Sequence, residues 1–371
     1  MKIIEKKKRR LCIFVIYQKN GKLEDYIVYL IKSLQLFVSK FLFVINGKID
    51  SHGIEELKLY GDIIVRENKG YDGGAYKDIF INYIGDDELK KYNQLILMND
   101  TFCGNFVSWD NIFQKMGEEK IDYWGLTKWK EGYSEFLNRN IPEHVQSYFL
   151  VFNESLMHSE CFKNFWKEMK VPKTCIEAIE FFEIALTQYL LGKGYIYSTW
   201  IDKCNANTLL EEGKVIYVSN PDKLITEYSF PVLKKRACIW ENLCKLAKIE
   251  DSIEDSSFKN IVKSYIRRNL LDLGKIDLSE IEKFYHIHEK IYLYGKGNYS
   301  KILCELFHYK NWKIEGIIVT NPQDEQTISL DSLCENENIG IIIATSKKFS
   351  EEIDIIIRNK KPHIDTMKIC K

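Results

Sequence analysis

Proline is scarce in this 371-residue chain, at six residues, and no stretch approaches the roughly 18 consecutive apolar residues that a membrane helix needs. Net charge is absent as well. The 53 Lys+Arg balance 53 Asp+Glu, which removes the global basic field expected of a nucleic-acid binder. Ten cysteines are scattered with no C-x-x-C pair, so neither a zinc site nor a disulfide framework is indicated; they read as reduced, mostly buried thiols of a cytoplasmic protein. The first apolar run, Leu11 to Tyr17, is short for a signal peptide and no small-residue cleavage site follows it. One local asymmetry breaks the charge balance. Lys6-Lys7-Lys8-Arg9-Arg10 is either a solvated tail or a peripheral contact with the anionic inner face of the cell membrane.

What is present is an alternation. Leu11–Tyr17, Phe41–Ile45, Asp62–Arg66 and Gln94–Met98 carry strand-like apolar runs. Between them lie helical spacing over Glu24–Val38, a short helix over Ile54–Tyr60, and a helix opening after the glycines and reaching Tyr83. Strands alternating with helices predict an α/β fold built on a doubly wound parallel sheet. Beyond residue 105 the pattern loosens: a strand over Val145–Phe152, a helix over Glu160–Met169, and a longer helix over Cys175–Leu191 closed by Gly192-Lys193-Gly194. Asp251–Leu271 reads as part of a helical connector. A fresh α/β pattern then starts with Ile291–Tyr294. The expected division is residues 1–240, a connector at 241–284, and a smaller α/β domain at 285–371.

The most informative segment is Asn68-Lys69-Gly70-Tyr71-Asp72-Gly73-Gly74-Ala75-Tyr76-Lys77, three glycines within five positions ahead of a helix. Glycine lets backbone approach a ligand closely, and a helix start offers N–H groups to an anion. Met98-Asn99-Asp100-Thr101 follows at the end of a buried strand, where α/β sheets place ligand-binding side chains. Together they point to a phosphorylated, nucleotide-linked ligand, although Asp, Asn and Gly also favour plain turns and Asp100 could be a simple cap.

These two blocks, with Asp122-Tyr123-Trp124-Gly125-Leu126-Thr127 and His144-Val145-Gln146-Ser147-Tyr148-Phe149, resemble in kind and order those of rhamnan synthesis protein F, a family of cell-surface polysaccharide glycosyltransferases. The resemblance covers roughly residues 10–235. It implies a GT-A-like core, a nucleotide-sugar donor with rhamnose among the candidate sugars, and a glycan or lipid-linked glycan acceptor. It also implies a divalent cation, Mg²⁺ or Mn²⁺, held by Asp100 with Asn99 beside it. Asn68, Gly70, Asp72, Gly73, Gly74 and Lys77 would then lie under the donor. A non-catalytic scaffold that binds sugar or nucleotide is the alternative from another class, and a sugar-phosphate nucleotidyltransferase a third.

Catalytic candidates are Glu183 and Asp122. At 100° per residue Glu183 shares a helix face with Ile179, Phe182, Leu186 and Leu190. A carboxylate in an apolar stripe has a raised pKa unless paired, which suits a general base; the rival reading pairs it with a buried Arg, Lys or His. Asp122 could bind sugar hydroxyls or serve as the base instead. His144, Gln146 and Tyr148 alternate on the expected strand and share a face, lining either an acceptor cleft, with Trp124 and Trp129 for stacking, or a hydrogen-bonded polar core. Gly295-Lys296-Gly297-Asn298-Tyr299-Ser300 is half of a dinucleotide fingerprint, with Ser300 at the third glycine position and no acidic residue at a strand end about twenty residues on. This segment resembles small Rossmann-like domains fused to polysaccharide enzymes.

Overall fold

The computed structural model describes residues 8–322, 326–334 and 337–370, and it divides into two compact units, Met1–Lys234 and Lys235–Lys371. The first is built on a seven-stranded sheet. Its parallel half consists of β1 (Arg10–Ile16), β2 (Lys40–Asn46), β3 (Gly61–Arg66) and β4 (Gln94–Asn99), with β1 central between β4 and β2. Helices α1 (Asp25–Leu34), α2 (Ser51–Lys58) and α3 (Tyr71–Asp78) supply the crossovers. Every residue of β1 and β4 is buried, as expected of strands covered on both faces. Beyond β4 lie the antiparallel strand Phe149–Asn153, then Tyr123–Gly125 and Tyr197–Thr199, which run with β4 again.

Three local departures from the sequence reading matter for the site. The expected strand Val145–Phe152 is two strands, His144–Val145 and Phe149–Asn153, separated by a turn. His144–Val145 pairs with Lys128–Trp129 rather than with the main sheet, so His144, Gln146 and Tyr148 do not alternate along one strand. The expected helix Cys175–Leu191 contains a π-helical stretch, Ile179–Ile184, between α-helical segments Cys175–Ala178 and Ala185–Gly192. Glu183 sits inside it. A π-turn shifts the face that a 3.6-residue period assigns, and such turns recur at functional sites. Finally, Arg10 is no surface cation. Its Nε donates to Gln94 Oε1 at 2.7 Å, its Nη1 to the Phe37 carbonyl, and its guanidinium lies 4.3 Å from the Phe113 ring centroid. Burial lowers its pKa to about 10. Lys6 and Lys7 of the basic run lie outside the described residues.

The second unit holds a five-stranded, wholly parallel sheet in the order Thr327–Ile328, Gly316–Ile318, Lys290–Tyr294, Ile339–Ile343, Asp365–Lys368. Its first strand lies in the middle and the chain winds outward on both sides, a Rossmann-like α/β arrangement. The helices Ser256–Asp272 and Leu278–Ile287, in the span expected as connector, group with this unit. Gly295 follows the first strand at φ +108°, and Ser300 donates its hydroxyl to the Gly295 carbonyl. The residue in the third glycine position therefore closes the turn. Among the described residues no helix is long and apolar enough to cross a membrane.

Gly125 shows how tightly the antiparallel side is packed. A Cβ there would lie 2.4 Å from Val145 Cγ1 and 3.1 Å from the Phe149 carbonyl oxygen. Gly125→Ala is expected to destabilise the first unit by about 1–3 kcal/mol, the cost of overpacking a close-fitted core; a melting temperature equal to that of wild type would contradict this packing.

Candidate functional site

The cavity at the carboxyl edge of β1, β2 and β4 gathers five of the candidate residues, Asn68, Gly70, Asp72, Asn99 and Asp100. It measures ≈ 770 Å³ and is lined by Tyr17, Asn46, Asn68, Lys69, Gly70, Tyr71, Asp72, Asn99, Asp100 and Thr101, with Val15 and the segment Val171-Pro172-Lys173. That volume is in the range of sites for ligands of drug or nucleotide size.

Backbone geometry explains the glycines. Gly70 caps α3 in the left-handed region at φ +83°, and a Cβ there would stand 2.7 Å from Val171 Cγ1. A Cβ on Gly73 would stand 2.9 Å from Phe182 Cβ, and one on Gly74 2.8 Å from the Lys69 carbonyl oxygen. Gly73 and Gly74 thus pack the helix start against its surroundings and do not themselves line the cavity. Tyr71, also at positive φ, is held by Asn46, whose Nδ2 donates to its carbonyl at 3.1 Å. Arg66 ties the loop together, donating to Asn46 Oδ1, the Lys69 carbonyl and Asp78 Oδ2.

Asp72 and Asn99 meet. Asn99 Nδ2 donates to Asp72 Oδ2 at 2.8 Å, and Gly73 N–H donates to Asp72 Oδ1 at 2.9 Å. Asn99 Oδ1 accepts from the Thr101 N–H at 3.2 Å and from the Thr101 hydroxyl at 2.6 Å. With two donors on it, that amide oxygen is taken, which corrects the expectation that Asn99 helps to ligate a cation. Asp100 Oδ2 accepts from Tyr17 N–H at 2.9 Å and Gln18 Nε2 at 2.6 Å, and its carbonyl from the Tyr26 hydroxyl. Its carboxylate thus lines the cavity from the seam between β4 and β1. Among the described residues no group of three or more His, Cys, Asp or Glu gathers as a metal cage. The donor set fits a hard cation that takes most of its oxygens from a diphosphate and water.

Burial raises the Asp72 carboxyl above the usual carboxylate range; the bonds from Asn99 and Gly73 oppose this, and the Glu183 charge adds to it. Glu183 behaves differently from the unpaired base its apolar stripe suggested. Its Oε2 accepts from Ser147 N–H and the Ser147 hydroxyl, both at 2.7 Å, and its Oε1 lies 3.4 Å from His144 Nε2. His144 Nδ1 faces the Pro142 carbonyl at 2.9 Å, so the ring donates to Glu183 when both nitrogens carry protons. Burial pushes the Glu183 carboxyl up, but His144 and then Ser147 outweigh it, and the net shift is downward. A pairing with a buried His is what the structure displays.

Other candidates are placed elsewhere. Lys77 donates to the Lys167 and Met169 carbonyls at the end of helix Glu160–Glu168; it caps that helix and does not line the cavity. Asp122 lies at the opposite edge of the sheet, its Oδ2 accepting from Ile196 N–H at 2.8 Å. The length of β4, on the order of 16 Å at about 3.3 Å per residue, separates that level from Asp100, because the strand beside β4 pairs Asn153 with Gln94 and Asn153 bonds Asp122. Trp124 is 1% exposed and packed against Phe113 and Phe149, so it is core. Gln146 and Tyr148 are buried and both bond the Thr127 hydroxyl. His144, stacked with Trp129, is 1% exposed. None of these three lines the cavity. Tyr17, Asn46 and Lys173 do, and went unnoticed in the sequence because each looks like ordinary strand-end or loop punctuation.

A largely parallel, doubly wound sheet with polar residues converging on a cavity at its carboxyl edge is the α/β arrangement in which ligand sites are found. The chain belongs to the rhamnan synthesis protein F family, whose model matches residues 41–281. Among curated proteins it is 28% identical over 190 residues to the uncharacterized protein y4gN of Sinorhizobium fredii, covering 50% of this chain and 47% of that one. It is 30% identical over 135 residues to virulence protein VirA of Vibrio anguillarum, covering 35% and 39%. The matched stretch therefore spans less than half of either relative. Two solved structures overlap it loosely. They are the mannosyltransferase Ktr4p of S. cerevisiae (10% identity, TM-score 0.33, 52% of this chain and 67% of that one) and TarS 1-349 of S. aureus (13%, 0.30, 74% and 78%). Overlap this loose assigns no residue or ligand here.

Glu183 has a folded-state pKa below its unfolded value near 4.3. Its contribution is therefore present above about pH 4.3 and lost as pH falls through the folded value. Glu183→Gln is expected to cost about 1–3 kcal/mol at pH 7, since buried donors lose a charged acceptor. In denaturant melts the gap to wild type should narrow below about pH 4; a gap that widens with acid would refute the pairing.

Proposed function

We propose that this chain is a glycosyltransferase that binds a nucleotide-sugar donor in the cavity at the carboxyl edge of β1, β2 and β4. The observation that carries the reading is the convergence of Asp72, Asn99 and Asp100 on that cavity, in a chain of the rhamnan synthesis protein F family. The sugar proposed is rhamnose, and the acceptor a lipid-linked or cell-surface glycan. Asp100 would hold a divalent cation against the donor diphosphate, which when bound supplies charge neutralisation of the leaving group. Lys69 and Lys173, both exposed and lining the cavity, add positive charge for the phosphates.

The acceptor hydroxyl proton goes to a carboxylate, and we assign that role to Asp72. It lines the cavity and its pKa is raised, whereas Glu183 is drawn down by three donors. Two neighbouring carboxylates pushed in opposite directions is the pattern by which acid–base roles separate. Glu183 then works through its charge, which keeps Asp72 a stronger proton acceptor.

Two measurements test this. Calorimetric titration with UDP, GDP and dTDP in Mn²⁺ should find at least one that binds, and Asp100→Asn should abolish the metal-dependent part of that binding in protein that a melting curve shows to be folded at the assay temperature. Asp72→Asn should bind nucleotide normally yet lower sugar transfer by about 10²–10⁴, the range of general-base loss. A protein that binds nucleotide but neither transfers nor hydrolyses the sugar would be a scaffold.

A further inference from the structure

Behind the cavity lies a lysine that no motif marks. Lys234 ends the short strand Val232–Lys234, which pairs with Phe102–Gly104 directly after the Asn99-Asp100-Thr101 corner. It is 4% exposed. Its Nζ lies 3.8 Å from the Tyr148 ring centroid and 5.7 Å from those of Phe102 and Tyr217. Three aromatic rings around an ammonium attract it through their quadrupoles and hold its direction. From that cage Nζ donates to the Thr101 hydroxyl.

The direction of the next bonds follows from donor chemistry. An ammonium only donates, so Thr101 Oγ1 accepts from Lys234 and sends its single proton to Asn99 Oδ1 at 2.6 Å. The Thr101 N–H, also a donor only, points at the same oxygen. The Asn99 amide is thereby fixed with its oxygen toward Thr101 and its NH₂ toward Asp72. We propose that Lys234 is a positioning residue for the donor cavity. Acting through Thr101 and Asn99, it holds the Asp72 carboxylate in the orientation that meets the ligand. The role assigned to Asp72 rests on the glycosyltransferase reading above; the chain of bonds does not.

Thr101→Val, nearly isosteric, removes the hydroxyl, and Thr101→Ser restores it. Lys234→Met keeps the apolar stem in its cage without the charge. In ¹⁵N-labelled full-length protein, hydrogen exchange of the Asn99 side-chain amide should be slow in wild type and Thr101→Ser. It should be at least about tenfold faster in Thr101→Val and Lys234→Met. On a donor that wild type turns over, Thr101→Val should lower kcat about tenfold with little change in KM, and Thr101→Ser should recover it. Equal Asn99 exchange in wild type and Thr101→Val overturns the inference, as does a Thr101→Ser variant that behaves like Thr101→Val. If Lys234→Met fails to fold, the Thr101 pair still decides. Because exchange needs no ligand, protein that shows the expected exchange pattern but binds no nucleotide refutes the donor reading and leaves the positioning chain standing.

Discussion

The hydrogen bond from Asn99 to Asp72 is the contact on which the site depends. It joins the end of β4 to the first turn of α3, two places 27 residues apart in sequence. Without it the cavity would have a wall of strand ends on one side and a loose glycine loop on the other. Everything nearby serves that junction. Gly70 lets the chain turn through positive φ, and the bare Cα of Gly74 lets the Lys69 carbonyl sit close. Arg66 and Asn46 fasten the loop to the ends of β3 and β2. A backbone residue such as Tyr71 held at positive φ stores on the order of 1 kcal/mol or more, which persists only because so many bonds determine its place.

Electrostatics around that junction divide the carboxylates by what donates to them. Asp72 is half-buried and receives two neutral donors, too few to offset its desolvation. Glu183 is half-buried too but receives a backbone N–H, a hydroxyl and the His144 ring. The same residue class, a few side chains apart, ends on opposite sides of its ordinary pKa. Burial alone does not decide the charge of a site; the inventory of donors does.

Much of the fold was legible because its signals are local. β1, β2 and β4 are unbroken apolar runs bounded by turn residues, and the glycine segment and the Asn99-Asp100 corner announce themselves by composition. What escaped depends on partners distant in sequence. Lys77 looks like a phosphate ligand until the carbonyls at the end of helix Glu160–Glu168 claim it. Trp124 looks like a sugar platform until Phe113 and Phe149 enclose it. A two-residue alternation over His144 to Tyr148 suggested one strand, but a turn there sends the chain between two different pairings. The face assigned to Glu183 assumed 3.6 residues per turn, which the π-helical stretch does not keep. Lys234 carries no local mark at all, since its meaning lies in three rings and a hydroxyl up to 133 residues away.

The neutral overall charge of the chain takes on a particular form at this cavity. Lys69 and Lys173 are exposed at its rim, where water screens them and each contributes little to stability. Lys234 sits behind it, out of water, where a charge costs much unless rings and hydroxyls receive it. The rim lysines gain strength only when a ligand displaces water and lowers the local dielectric, whereas the inner lysine acts whether or not a ligand is there, by fixing which way Asn99 faces. Asp100 is buried and held by Tyr17 and Gln18; on the donor reading its one carboxylate would be a poor cage for a cation alone and an adequate one once diphosphate oxygens complete the shell. On the donor reading proposed above, this organised cavity would hold metal or phosphate only weakly when either is taken singly. Each would supply what the other lacks, so the same reading has the two bind more tightly together than either does alone.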